Sequence, residues 1–306
     1  MIVVVCPGQG SQTPGFLEPW IGDSSARELI DVLSDAADVD LVKHGTISDA
    51  DTIRDTSIAQ PLIVAAGILT LDALSQTDHL AKTQGIAGHS VGEFTAAVGA
   101  GVLDATDALR LVGIRGRAMA EAAAKVPTGM SAVVGGEETE ILAKLDALGL
   151  FPANYNGGGQ LVVAGELTAL ATLAEEPPAG ARVIPLQVAG AFHTSYMADA
   201  VETLRTAASS ANTFDPRQTL WTNKDGSVVK NGHTYRDLLV GQVSNPVRWD
   251  LCMEGFAAAG VTGIVELAPA GALVGLAKRA LKGIPSVAIK SPEDLVAARE
   301  LIDSLA

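Results

Sequence analysis

Short β-branched runs alternate along the chain with longer stretches whose apolar residues recur every three to four positions, the rhythm of a βαβ protein. Ile2–Cys6 is apolar throughout and stops at Pro7-Gly8, which predicts a buried strand. Gly85–Gly88 is predicted as a second short strand entering a turn, and Val91–Ala100 as a helix of small residues beyond it. Asp104 stands where an N-cap should, ahead of a helix predicted from about Ala105 to Lys125.

The middle third has a different pattern. Strands are predicted at Gly129–Gly135, Leu150–Asn154, Gln160–Ala164 and Arg182–Gln187, and helices at Glu137–Leu148 and Leu167–Glu175. That order, βαββαβ, is the ferredoxin-like pattern. Helices and short strands then return at Ser195–Ala211, Leu220–Asn223, Tyr235–Val243, Trp249–Ala259, Gly263–Glu266, Leu273–Leu281 and Asp294–Leu305. The chain therefore reads as a small domain, 127–188, inserted into a larger α/β domain made of 1–126 and 189–306, with a cleft between them as the place for a site.

Composition narrows what such a protein can do. With 306 residues, 48% of them apolar, there is enough chain for a sizeable core. Lys and Arg number 21 against 35 Asp and Glu, a formal charge of −14, so neither nucleic acid nor an anionic membrane surface is an expected partner. The two cysteines, Cys6 and Cys252, lie far apart and offer neither a disulfide framework nor a four-ligand zinc site. No metal is expected, and a reducing, cytoplasmic setting is. The N-terminus lacks a basic segment, and no uninterrupted apolar stretch of membrane-spanning length is read from the sequence, so neither a signal peptide nor a transmembrane helix is predicted.

The strongest chemical signal is Gly88-His89-Ser90-Val91-Gly92, a G-x-S-x-G between a predicted strand and helix. A serine on that sharp turn is held exposed, with the helix start beside it favouring developing negative charge. Its base must come from five histidines: His44, His79, His89, His193 and His233. His44 and His79 lie in polar stretches, His233 follows a turn, and His89 is too close to the serine to face it. His193 sits where the inserted domain returns to the large one, a loop suited to a base. A buried structural histidine is the competing account of that residue.

Arg115 shares a helical face with Ala108, Leu111, Val112 and Met119, so it points inward, where a charge needs an anionic partner. An internal carboxylate and a bound substrate carboxylate both satisfy that requirement. The loop Pro7–Gln12 is neither a dinucleotide fingerprint nor a phosphate loop, but it can place a backbone N–H in an oxyanion hole.

Together these segments resemble the malonyl-CoA:acyl-carrier-protein transacylase family, the acyltransferases of fatty-acid and polyketide synthesis. The resemblance runs through Gly8–Gln12, Gly88–Phe94, Arg115–Met119, Asn154–Asn156, Ala191–His193 and Asn245–Trp249. It implies an α/β-hydrolase-like domain with a ferredoxin-like insert, Ser90 as acylated nucleophile, His193 as its base and Arg115 as the seat of the malonyl carboxylate. It further implies an oxyanion hole from the backbone N–H groups of Gln9 and Val91, and a main-chain carbonyl at Arg248 orienting the histidine. Asn154, Asn156 and His89 are implied as positioning groups. Malonyl-CoA and an acyl carrier protein are the implied partners, with the CoA thioester a substrate rather than a cofactor. Such carriers are acidic, so docking on this acidic chain calls for a local basic patch, for which Lys278, Arg279 and Lys282 are the candidates. A serine esterase or thioesterase on an α/β-hydrolase fold is the alternative; it shares G-x-S-x-G but needs a carboxylate behind its histidine and has no use for a buried arginine.

Overall fold

The computed structural model describes residues 1–305, a mixed α/β protein with two five-stranded sheets and twelve α-helices among those residues. Strand β1, Ile2–Cys6, is buried along its whole length, as a run apolar on both faces must be at the centre of a parallel sheet. Three helices follow, α1 (Ser24–Ala37), α2 (Leu41–Thr46) and α3 (Thr56–Ser75), in a stretch for which no element is predicted above. Strand β2, Gly85–Gly88, pairs in parallel with β1 and leads into α4, Gly92–Gly99. Asp104 caps α5, Ala105–Ala123, its carboxylate accepting from the Asp107 N–H at 2.6 Å, as the sequence predicts.

Helix α3 shows no apolar stripe because it is buried on almost every side, which explains why periodicity missed it. It is also long and apolar enough to cross a membrane by length and composition, but polar residues interrupt it and most of it is packed inside the protein.

The βαββαβ run is present as β3 (Thr128–Gly135), α6 (Glu138–Leu148), β4 (Phe151–Gly157), β5 (Gln160–Glu166), α7 (Leu167–Glu175) and β6 (Ala181–Pro185). Its strands lie in the order β6-β3-β5-β4, antiparallel at each of these pairs. The pleat divides the side chains of this sheet. Val133, Leu161 and Val163 meet α6 and α7 in a separate apolar cluster, whereas Met130, Val162 and Ala164 join the main core.

The remaining elements are α8 (Ala198–Ala208), β7 (Thr219–Leu220), α9 (Gly232–Gly241), β8 (Val247–Arg248), α10 (Trp249–Ala258), β9 (Gly263–Glu266), α11 (Ala272–Ala280), β10 (Ser286–Ala288) and α12 (Leu295–Leu305). Helix α8 is shorter than the predicted 195–211 because its first residues, Ser195–Met197, form a 3₁₀ turn. Strand β4 runs three residues past its predicted end and stays paired with β5, with register shifts at Pro152/Asn154 and at Tyr155/Gly157. The large sheet has the order β10-β9-β1-β2-β7, all parallel, and β8 joins the small sheet beside β4. The turn after β2 opens at the carboxyl ends of the parallel strands, where α/β sheets carry their sites. Cys6 and Cys252 are both free and buried.

Candidate active site

Ser90 occupies the turn between β2 and α4 with φ +53°, a left-handed conformation that costs a non-glycine residue energy and recurs at functional turns. Two glycines make the turn possible. A Cβ on Gly88 would lie 2.1 Å from the Gly92 backbone, and one on Gly92 would lie 2.2 Å from the Cys6 carbonyl oxygen. No side chain fits either gap. The Ser90 N–H donates to Asn223 Oδ1 at 2.8 Å, and Asn223 Nδ2 in turn donates to the Gly88 carbonyl at 2.7 Å. One buried amide therefore clamps both ends of the turn.

His193 is also held at positive φ, +63°, in the loop that returns from the small sheet. Its Nε2 lies 2.7 Å from Ser90 Oγ, and its Nδ1 lies 2.9 Å from the main-chain carbonyl oxygen of Gln242. A carbonyl can only accept, so the ring proton sits on Nδ1 and the Nε2 lone pair faces the serine hydroxyl. Burial first, then the Arg115 charge, pushes the imidazole down to about 3, keeping it neutral with the Nε2 lone pair free. The implied carbonyl at Arg248 is not the one used. Arg248 lies in β8, its backbone N–H donating to the Asn223 carbonyl, its guanidinium paired to Asp250 and stacked over Tyr155. Gln242, six residues earlier on the 3₁₀ turn after α9, presents its carbonyl instead.

Arg115 points inward from α5 and is 1% exposed. It lines the same cavity as Ser90 and His193, a space of about 500 Å³ between the two sheets. No carboxylate contacts its guanidinium among the described residues; Nη1 donates to Gln60 Oε1, Nη2 donates to Gln242 Oε1 at 2.9 Å, and Nε is buried without a partner. The expected ion pair is absent from the protein itself. The nearest acid, Glu93, stands behind Gln242, whose Nε2 donates to it; the other Glu93 oxygen accepts the Asn223 N–H at 2.8 Å. Burial lowers Arg115 only to about 10, so it stays charged, and raises Glu93 to about 7.

The other implied residues fall around this cavity. Gln9, Val91, His89, Asn154 and Asn156 line it. Neither the Gln9 nor the Val91 backbone N–H makes a hydrogen bond among the described residues. His89 Nε2 lies 2.9 Å from Asn156 Oδ1, and the Asn156 amide donates to Gln160 Oε1 at 2.9 Å. Asn154 is buried on β4 with its Oδ1 unpartnered. Arg279 on α11 reaches the cavity rim, whereas Lys278 and Lys282 are exposed beyond it. His44, His79 and His233 bond to Ser48, to Thr77 and Asp303, and to Thr213, away from the site. No three His, Cys, Asp or Glu side chains are grouped as a metal ion requires among the described residues.

Four residues of the site have no role assigned from the sequence: Gln60, Asn223 and Gln242, which lie outside every motif above, and Glu93, which lies inside Gly88–Phe94. Three of them carry one faint signal, a lone polar residue amid apolar or small neighbours, as in Ile58-Ala59-Gln60-Pro61-Leu62, Gly92-Glu93-Phe94 and Val240-Gly241-Gln242-Val243. A buried polar group among apolar ones needs a partner: Gln242 donates to Glu93, and Gln60 and Gln242 both accept from Arg115.

Comparison with known proteins agrees with this geometry. Residues 3–297 match the acyl transferase domain family. A malonyl CoA-acyl carrier protein transacylase of Mycobacterium tuberculosis is 52% identical over 296 residues, covering 96% of this chain and 98% of that protein. The fold superposes on the crystal structure of the M. tuberculosis MCAT with a TM-score of 0.95, at 51% identity over 98% of this chain and 99% of that one. A malonyl-transacylase solved in complex with its holo type II PKS acyl-carrier protein gives 0.91 at 28% identity, over 98% and 99% of the two chains. The chain belongs to the acyl transferase family, among the malonyl CoA-acyl carrier protein transacylases.

Proposed function

We propose that the protein moves a malonyl group from malonyl-CoA to the phosphopantetheine thiol of an acyl carrier protein through a malonyl-Ser90 ester. The observation that carries this is a neutral His193–Ser90 pair sharing one cavity with a buried Arg115 that has no carboxylate of its own. A substrate carboxylate supplies the missing anion and an acceptor for the orphaned Nε–H. In the first step Ser90 Oγ attacks the thioester carbon while its proton passes to His193 Nε2. The tetrahedral adduct then collapses, the C–S bond breaks, and that proton leaves with the CoA sulfur. In the second step the carrier thiol gives its proton to Nε2 and attacks the ester; the C–O bond breaks and Ser90 recovers its proton. The unpaired N–H groups of Gln9 and Val91 are assigned to the oxyanion. His89, Asn154 and Asn156 are assigned to positioning the pantetheine end of the thioester. No cofactor or metal is assigned.

The esterase alternative is not favoured, because the His193 Nδ1 proton goes to a carbonyl rather than a carboxylate. We assign residues 1–126 and 189–306 to an α/β-hydrolase-like catalytic domain and 127–188 to a ferredoxin-like insert. The parallel order of the large sheet, the β6-β3-β5-β4 order of the small one and the separate apolar cluster under it support that division. The cytoplasmic setting rests on the two free cysteines.

Intact mass after mixing with malonyl-CoA tests the assignment of Ser90. One malonyl adduct is expected on the wild type and none on Ser90→Ala; an adduct surviving that substitution, or rapid ester turnover with no adduct, contradicts it. The carrier is assigned to Arg279 at the rim and to Lys278 and Lys282 beyond it, none of which makes an ion pair among the described residues. Reversing Lys278 and Arg279 to Glu should slow transfer to the carrier about tenfold, in line with lost electrostatic steering, and leave loading from malonyl-CoA intact. Unchanged transfer removes that assignment.

A further inference from the structure

Glu93 takes no part in the two steps above, yet it is the one buried acid under the elbow. It lies in the first turn of α4, three residues after Ser90, and is 1% exposed. One carboxylate oxygen accepts the Asn223 N–H and the other accepts from Gln242 Nε2. Both partners hold working parts of the site. Asn223 Oδ1 holds the Ser90 N–H at 2.8 Å. Gln242 holds Arg115 through Oε1 and His193 through its main-chain carbonyl, while its Nε2 also donates to the Ser90 carbonyl at 2.9 Å.

An amide side chain has two chemically different ends, and only its surroundings decide which way they point. Glu93 is an acceptor at both oxygens when ionised, so Nε2 of Gln242 must face it and Oε1 must face Arg115. When ionised, Glu93 thereby compensates the guanidinium from one residue away. A carboxylate in direct contact would neutralise Arg115 as well, but it would occupy the N–H groups that a substrate carboxylate needs.

We propose that Glu93 is a positioning residue for acyl selectivity: through the Gln242 amide it keeps Arg115 charged, oriented and open to the carboxylate of a diacid acyl group. The proposal rests on the malonyl-transfer assignment above and names what maintains its selectivity. Glu93→Gln is nearly the same size but cannot serve both neighbours. If its oxygen faces Gln242, its NH₂ meets the Asn223 N–H; if reversed, NH₂ meets NH₂ at Gln242, whose amide then turns a donor towards Arg115.

The test is single-turnover loading of Ser90 from malonyl-CoA and from acetyl-CoA, read by mass. Glu93→Gln should lower the malonyl-to-acetyl loading ratio about tenfold or more, the size of one lost charge-assisted hydrogen bond, chiefly through a higher KM for malonyl-CoA. A purely structural role moves both acyl groups together and leaves the ratio alone, which overturns the proposal. Should Glu93→Gln fail to fold, Glu93→Asp keeps the charge but shortens the reach to Gln242; a lowered ratio supports the proposal and an unchanged one overturns it. Arg115→Ala in the same assay separates the two ideas. If that variant loads both groups equally poorly, the carboxylate seat itself is wrong. If Arg115→Ala loses malonyl loading selectively while the Glu93 variants keep the wild-type ratio, only the role of Glu93 falls.

Discussion

The two walls of the cavity are built on different terms. On the wall from the large sheet, geometry is dictated by backbone against backbone: the glycines at 88 and 92 close to 2.1–2.2 Å of main-chain atoms if given a Cβ, and Ser90 is pinned in a left-handed turn. On the wall from the small sheet, Met130, Asn154, Asn156 and Val162 project into the cleft from β3, β4 and β5. The first wall holds reacting atoms, and small displacements there are costly in rate. The second carries strand side chains that can change without moving the main chain. The serine and its glycine clamp sit on the wall that cannot flex, and the strand side chains sit on the wall that can vary.

Gly92→Ala gives the largest expected effect. Its Cβ would enter the Cys6 carbonyl, which neither strand nor turn can vacate, so a destabilisation above about 4 kcal/mol is expected, with a fall in Tm of about 10 °C or more. A melt and a loading assay check it. Near-normal behaviour in both shows that the elbow wall adapts and erases the contrast. Asn154→Ala, on the other wall, is the smallest. Its Oδ1 has no protein partner to lose, so stability should change by about 1 kcal/mol or less while loading falls about threefold to tenfold, the worth of one neutral hydrogen bond. A drop in Tm as large as that of Gly92→Ala places Asn154 in the scaffold instead.

What the sequence makes legible follows the same division. The elbow is readable because local rules govern it: a strand, two obligatory glycines and a serine lie within five residues, Gly88 to Gly92. Arg115 is readable as inward-facing because one helix face carries it with Ala108, Leu111 and Val112. The support behind them is not. Gln60, Asn223 and Gln242 come from three distant segments and matter only through pairings made by the fold. The carbonyl that orients His193 is a backbone group, which any residue type supplies, so its position is carried by no letter of the sequence; hence it lies at Gln242 rather than Arg248. Helix α3 is unreadable for a different reason, since an element buried on all sides has no polar face to set a period.

The central claim is that Arg115, charged and free of any protein carboxylate, selects a diacid acyl group for Ser90. Single-turnover loading of Arg115→Ala with malonyl-CoA and with acetyl-CoA, followed by intact mass, tests it most directly. The expected result is malonyl loading reduced about a hundredfold, the scale of a lost charge-assisted bidentate contact, with acetyl loading held to within about threefold of wild type, less than one neutral hydrogen bond. Equal loss of both acyl groups, or malonyl loading that survives the substitution, contradicts it.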